Sequence, residues 1–394
     1  MVVSDRPPKN RLNLLARKVY NPLGFTRFYN FMLWFIFSGA LLGFLLARSP
    51  YMNFGGVFCP QNAQPSLSAA PGECLIYTSR NLYKIGIIMH LCTIIPAGFL
   101  ALFQFLPAIR HRVRLFHRLN GYAIILLIQL AHIGALMITR VGFGGSLATQ
   151  SSVGMIALAS TVSIALAWVN IRRLQIDQHR NWMLRAWFYI GAPISQRLLF
   201  LIIQPIISWI GTYYYAISCK MIVDMLTTFG TETEAIASSY SACVPFLDGT
   251  NLQQHSAVFA TLEAGIIEVI AVLDISFGMA LWLAFIMHAI GIELYIQLTP
   301  RESERLRQVA YERQVEAGMS HPGNAGITAN RLGDANPFVP LSKTKTWPKQ
   351  MYNTGPSKER VEMWTNAPSR GNQNIRCKKL EWIHSWQCDH RPIR

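Results

Sequence analysis

The sequence is poor in charge and poorer still in acid. Only 14% of its 394 residues are charged, against 51% hydrophobic, and 20 Asp+Glu are outnumbered by 36 Lys+Arg. A soluble globular chain carries roughly 25% charge, so an ordinary soluble enzyme is excluded. The chain also lacks a GxGxxG turn, a Walker loop and any internal repeat, so neither a nucleotide-binding fingerprint nor a solenoid pattern marks it. No cleavable leader is expected either, because the first 27 residues are polar and basic and the apolar run behind them is long enough to span a bilayer.

What remains is a chain of mean hydropathy +0.25 with long, nearly uncharged runs. A hydrocarbon core of about 30 Å needs about 20 apolar residues as a helix. Six windows satisfy this: 28–47, 82–106, 117–139, 145–169, 182–208 and 272–298. The expected fold is all-α, an integral membrane bundle of six transmembrane helices with a basic, largely disordered C-terminal tail. Three segments follow, residues 1–27, 28–298 and 299–394, with one further helix expected in the stretch RESERLRQVAYERQVE.

The net charge of +16 on such a chain reads as basic cytosolic loops, with no role in nucleic-acid binding. Basic residues crowd the N-terminus, the segment Arg110–Arg118 and the segment Arg172–Arg185, whereas residues 49–81, 140–146 and 209–271 hold few. Both termini are therefore expected in the cytosol, in a membrane the sequence does not identify. Four of the seven cysteines, Cys59, Cys74, Cys219 and Cys243, fall in or beside outer loops where disulfides persist, although spacing does not fix their pairing. Cys92 reads as a small buried hydrophobe, and Cys377, His384, Cys388 and His390 match no known zinc spacing.

Ionisable residues at membrane depth are functional candidates by default. His90 lies 8 residues into the second span (90 − 82) and His132 about 8 from the end of the third (140 − 132), so at 1.5 Å per residue both lie about 12 Å below the outer surface. His117 and His179 are level at the cytosolic boundary. Paired histidines at two depths of a four-helix bundle are how membrane b-type cytochromes clamp two haems, each iron between neutral imidazoles. The leading expectation is thus a haem b-linked oxidoreductase or transmembrane electron carrier, with Arg197 meeting a haem propionate. The common alternative is that such histidines merely hydrogen-bond between helices; His288 reads that way, and His111, His255 and His321 as solvated.

His117, Arg118, His179, Arg180 and Arg185, with Asp177 nearby, also suggest a cationic, titratable cluster that binds an anion or passes protons. Against it stands the reading that Asp177 pairs with an arginine and shapes the loop. Two further functions follow: a small-anion or proton-coupled transporter using that cluster, and a cofactor-free membrane-embedded biosynthetic enzyme. The transporter expects matched broken helices in two halves, yet Pro193 and Pro205 have no counterpart. The enzyme needs a carboxylate facing the bundle, for which Asp177, Asp274 and Glu268 are the candidates. The partners expected are the lipid bilayer and a small-molecule substrate or electron donor.

HRLNGY at His117–Tyr122 and DQHRNWMLRAW at Asp177–Trp187 resemble the pattern of a family of predicted multi-pass membrane proteins, domain of unknown function 2306. The resemblance spans roughly residues 80–210, and His90 and Arg197 match it too. It implies a helical bundle with His and Arg at its cytosolic mouth and brings no established reaction. The long loop 209–271 and the basic tail depart from shorter members.

Overall fold

The computed structural model describes residues 11–25, 27–60, 69–336, 338–340, 376–379 and 386–389. Six of its helices are long and apolar enough to cross a membrane. A short α1 (Arg11–Tyr20) precedes the spans α2 (Phe28–Arg48, continued by a 3₁₀ turn to Met52), α4 (Asn81–Gln104), α6 (Arg114–Ile138), α7 (Leu147–Arg172), α8 (Ile176–Ile210) and α12 (Ile266–Leu298). Between them stand α3 (Glu73–Thr78), α5 (Pro107–Arg112), β1 (Tyr214–Ser218), α9 (Cys219–Thr228), α10 (Thr233–Ser239), α11 (Val244–Leu247) and β2 (His255–Phe259), and α13 (Pro300–Glu316) follows the last span.

Lipid is as apolar as leucine, so spans associate through small residues that let backbones approach. Between α4 and α6 the contact is Gly86 against Gly134: a Cβ added to Gly134 would lie 2.6 Å from the Gly86 carbonyl oxygen and 2.7 Å from the His90 amide nitrogen. Helix α7 turns a fully buried face of Ser152, Ser160 and Ala167 inward, and Gly278 of α12 lies against the backbone of Ala148 and Thr149. Helix α8, at 35 residues, would be about 52 Å long at 1.5 Å per residue and so outruns a bilayer.

The segments joining the spans divide by composition. At one end lie both disulfides, Cys59–Cys74 and Cys219–Cys243, which settles a pairing the spacing left open. The loop between α8 and α12 is a folded cap: β1 and β2 pair antiparallel, Ala216 opposite Ala257, over a core that includes Ile217, Cys219, Ile222, Ile236, Cys243 and Val258. A strand pair here was not expected from the sequence. At the opposite, basic end α13 forms where its sequence predicts a helix, and the chain beyond it folds back. Buried Gln314 donates to the Arg173 carbonyl at 2.9 Å and to Gln175 Oε1 at 3.1 Å, while its own Oε1 accepts from Gly323 N at 2.6 Å. Gln175 Oε1 accepts from Gly326 N at 3.1 Å, and Asn170 Oδ1 from Ile327 N at 2.8 Å.

Residues 341–394 form a separate unit. Within it β3 (Arg376–Lys379) and β4 (Trp386–Asp389) pair antiparallel with Cys377 opposite Cys388. His384, His390 and most of the tail expected to lack order lie outside the described residues.

Candidate functional site

The paired histidines are near one another, but they spend their nitrogens on the protein. His90 Nδ1 is 2.9 Å from the Ala131 carbonyl of α6. His132 turns away to α7, with Nδ1 3.2 Å from Thr161 Oγ1 and Nε2 3.3 Å from Ser160 Oγ. A porphyrin between two imidazoles needs facing helices set apart by both side chains and the ring. Helices α4 and α6 touch backbone to backbone beside His90, so these two residues do not fit a shared haem. At the basic end His179 Nδ1 is 3.0 Å from the Ala167 carbonyl, and His117 Nδ1 is buried without a partner.

The expected cationic cluster divides: His179 and Arg118 stay within electrostatic reach of His117, while Arg180 and Arg185 engage α12. Arg185 makes a bidentate pair with Glu293 of α12 at 2.5 and 2.8 Å and lies 4.6 Å over the Trp182 ring. Arg180 donates to Tyr295 Oη at 3.3 Å, and Arg118 is exposed. Asp177 is buried and accepts from Gln175 at 2.7 Å and Gln178 at 3.2 Å. It therefore pairs with amides and, among the described residues, forms no ion pair with an arginine, because the fold-back of residues 317–334 draws Gln175 into the same buried junction. His288 is bonded between helices, to Ser195 Oγ at 2.7 Å and the Phe188 carbonyl at 2.6 Å.

Chemistry gathers instead at the disulfide end, around the turn Gly142–Gly145. This turn joins α6 to α7 and carries left-handed backbone at Phe143 (φ 47°) and Gly144 (φ 68°). Left-handed backbone costs a non-glycine residue roughly 1–2 kcal/mol. At Phe143 it is held by stacking on Phe277 of α12, ring centroids 4.0 Å apart and 9° from parallel. Beside the turn stand Glu73 and Tyr77 of α3: Glu73 accepts from Ala70 N at 2.9 Å and from Tyr77 Oη at 3.2 Å. Asp274 of α12 is buried and so close to the turn that a Cβ on Gly144 would lie 2.7 Å from its Oδ2. Tyr215 donates to the Gly144 carbonyl at 3.1 Å.

Arg197 of α8 completes the group. Its Cζ lies 5.7 Å from the centroid of Phe143 and 5.7 Å from that of Phe277, and its Nε is sealed without a hydrogen-bond partner. Glu73 and Tyr77 are within its electrostatic reach, yet among the described residues neither Glu73 nor Asp274 forms an ion pair with it. Outside the spans the titrations respond as low-dielectric surroundings dictate. Burial pushes the Glu73 carboxyl above its ordinary range despite its hydrogen bonds. Burial and then the neighbouring Glu73 push Tyr77 far up, and burial with Asp274 nearby lifts Tyr215 to about 12.

Of this group the sequence singled out Arg197 and named Asp274 as a candidate carboxylate, but missed Glu73, Tyr77 and Tyr215. Glu73 adjoins the disulfide cysteine Cys74, the one signal that could have marked it. Glu268, the other candidate carboxylate, accepts from Tyr240 Oη at 2.7 Å within the cap. An open cleft of about 430 Å³ at the same end, lined by Arg80, Tyr83, Met137 and Arg140 among others, holds no carboxyl or imidazole and lacks the chemistry of the Asp274 group.

Residues 87–228 match the profile of a family described as predicted membrane protein, DUF2306, which bears out the resemblance carried by the two HR motifs. That stretch contains Arg197 and the four paired histidines but neither Glu73 nor Asp274. The chain is also similar to "Ava biosynthesis cluster protein G" of Aspergillus versicolor, 24% identical over 313 residues that cover 70% of this chain and 90% of that protein. No solved structure matches.

Proposed function

We propose that this multi-pass membrane protein is a membrane-embedded biosynthetic enzyme that moves protons on a lipophilic small molecule at the disulfide end of its bundle. One observation carries the reading: two carboxyl groups from separate elements, Asp274 of α12 directly and Glu73 of α3 through Tyr77, meet at one strained turn in an apolar, aromatic setting, with no ion pair on either among the described residues. Carboxyl pairs in unlike environments are the usual means of assigning acid and base roles. Here Glu73 holds Tyr77 Oη and Asp274 stands apart beside Gly144. Proton transfer between such groups needs only side chains, and a substrate of this class reaches the site from the surrounding lipid. The Aspergillus relative, named for a biosynthesis cluster, supports this reading over transport, and so does the engagement of Arg185 by Glu293 and of Arg180 by Tyr295.

The test compares lipophilic metabolites of the producing organism with the gene intact, deleted, or carrying Asp274→Asn. General acid–base catalysis contributes about 10²- to 10⁴-fold, so Asp274→Asn is expected to lower product by that order at unchanged protein level and to accumulate the precursor seen on deletion. A full product level in both Asp274→Asn and Glu73→Gln would end the proposal.

Haem is the second reading, favoured at the basic end alone. His179 engages Ala167 through Nδ1, with no hydrogen bond to its Nε2 among the described residues, and His117 is within electrostatic reach with Nδ1 unpartnered. These two imidazoles would hold the iron, and the group would supply one-electron transfer. A Soret band in purified protein that is lost in both His117→Ala and His179→Ala supports it; colourless, monodisperse protein from haem-supplemented cells refutes it.

A further inference from the structure

We propose that Arg197 is the recognition residue for a carbonyl oxygen on that lipophilic substrate, an inference that rests on the acid–base reading and names its substrate class. A guanidinium is expensive at membrane depth and is normally found with an anion or with its donors satisfied. Arg197 departs from both rules. No hydrogen bond to it is found among the described residues, and its Nε is sealed without an acceptor. Glu73 lies within electrostatic reach but gives its oxygens to Ala70 N and Tyr77 Oη. What fixes the guanidinium is the stacked pair Phe143 and Phe277, 5.7 Å from each centroid.

That frame is maintained at a cost. Phe143 holds φ 47°, a conformation that persists in a non-glycine residue only where the surroundings impose it. Stacking on Phe277, with Phe200 edge-on to both rings at 6.1 and 6.0 Å, is what imposes it. The result is a donor without an acceptor, framed by aromatic walls that suit an apolar ligand and within electrostatic reach of the Glu73 carboxyl.

The apolar setting decides the class. An ionised head would have to shed its water among Phe143, Phe200 and Phe277, whereas a neutral carbonyl offers lone pairs to Arg197 at a far smaller desolvation cost. Charge that gathers on that oxygen as a proton leaves the neighbouring carbon would be stabilised by the guanidinium, the arrangement that makes preorganised donors effective in water-poor sites.

The experiment is infrared difference spectroscopy of methyl octyl ketone, isotope-labelled at the carbonyl, added to the full chain in phosphatidylcholine nanodiscs. A carbonyl band shifted to lower wavenumber relative to protein-free nanodiscs is expected. Arg197→Met should abolish it, Arg197→Lys should retain a weaker one, and a ketone-free alkane competitor of equal length should displace it less well than unlabelled ketone. Should Arg197→Met fail to assemble, Phe277→Leu, which removes one framing ring, must weaken the band. No shifted band in the parent protein, or one that survives Arg197→Met, overturns the role. If the band is absent while Asp274→Asn still stops product formation, carbonyl recognition falls and the acid–base reading stands. If the band depends on Arg197 while Asp274→Asn leaves product intact, recognition stands and the acid–base reading falls.

Discussion

At the scale of single residues, the group beside Phe143 is governed by desolvation more than by charge pairing. Burial raises the Glu73 carboxyl above its ordinary range, so the folded state holds this proton more tightly than the unfolded chain does. The stability that follows is fully present below the unfolded pKa and is lost as pH rises through the raised folded value. Glu73→Gln mimics the protonated form and removes that loss. Thermal melts of the two proteins should therefore coincide near pH 4 and separate toward neutral pH, with the variant the more stable. A variant that melts lower at pH 7 would mean that the charged carboxylate is the favoured form. Arg185 and Glu293 show the opposite arrangement, two opposite charges bound bidentately between α8 and α12. Removing one partner of such a pair strands the other, so Glu293→Ala should destabilise more than the double variant with Arg185→Met, a comparison that denaturation of the purified proteins decides.

Elements are joined by close backbone approach at one interface and by buried amides at another. Between α4 and α6 the glycines are the interface: a side chain at Gly134 meets the backbone of Gly86 and His90, which has nowhere to go. Overpacking costs typically 1–3 kcal/mol even where neighbours shift, and Gly134→Val should cost at least about that in detergent unfolding. At the basic end Gln175, Gln314 and Asn170, all fully buried, tie the segment 317–334 to the α7–α8 junction. Gln175→Ala leaves Gly326 N, Asp177 and Gln314 short of partners, and each unsatisfied buried group costs about 1–3 kcal/mol. The expected outcome is faster proteolysis after α13 with the bundle itself still folded. Cleavage at the parental rate would show that the apolar contacts of the segment suffice to hold it.

For the whole molecule the leading expectation concerns sidedness. We infer that the disulfide end faces an oxidising compartment and that both termini are cytosolic, since basic segments gather at the other end and disulfides persist only where thiols are not kept reduced. Reporter fusions within the cap near residue 240 should read the far side and fusions at the C-terminus the cytosol. A cytosolic signal from the cap would reverse the orientation. Removing Cys219–Cys243, which closes a loop of sequence separation 24, should cost about 2–4 kcal/mol and loosen the cap over the candidate site.

The sequence by itself determined the number of spans, their approximate limits, the helix after the last span and the segregation of basic residues, because hydropathy and loop charge are local, additive properties that survive without knowledge of packing. His90 with His132, and His117 with His179, the pairs that residue counting set level, lie within electrostatic reach of each other. Direction is another matter. Whether two level histidines face one another depends on helix rotation and separation, and these were set by Gly86 against Gly134, a contact that closes the gap a haem would need. Asp177 and Arg185 are close in sequence, yet their partners are Gln175 and Glu293, the latter more than a hundred residues away. Glu73, in an outer loop with no periodic pattern, comes within electrostatic reach of Arg197 and Asp274 because α3, tied by Cys59–Cys74, packs beside the turn at Phe143. Tertiary structure alone decided that site, because its members come from four separate segments whose convergence no local spacing encodes.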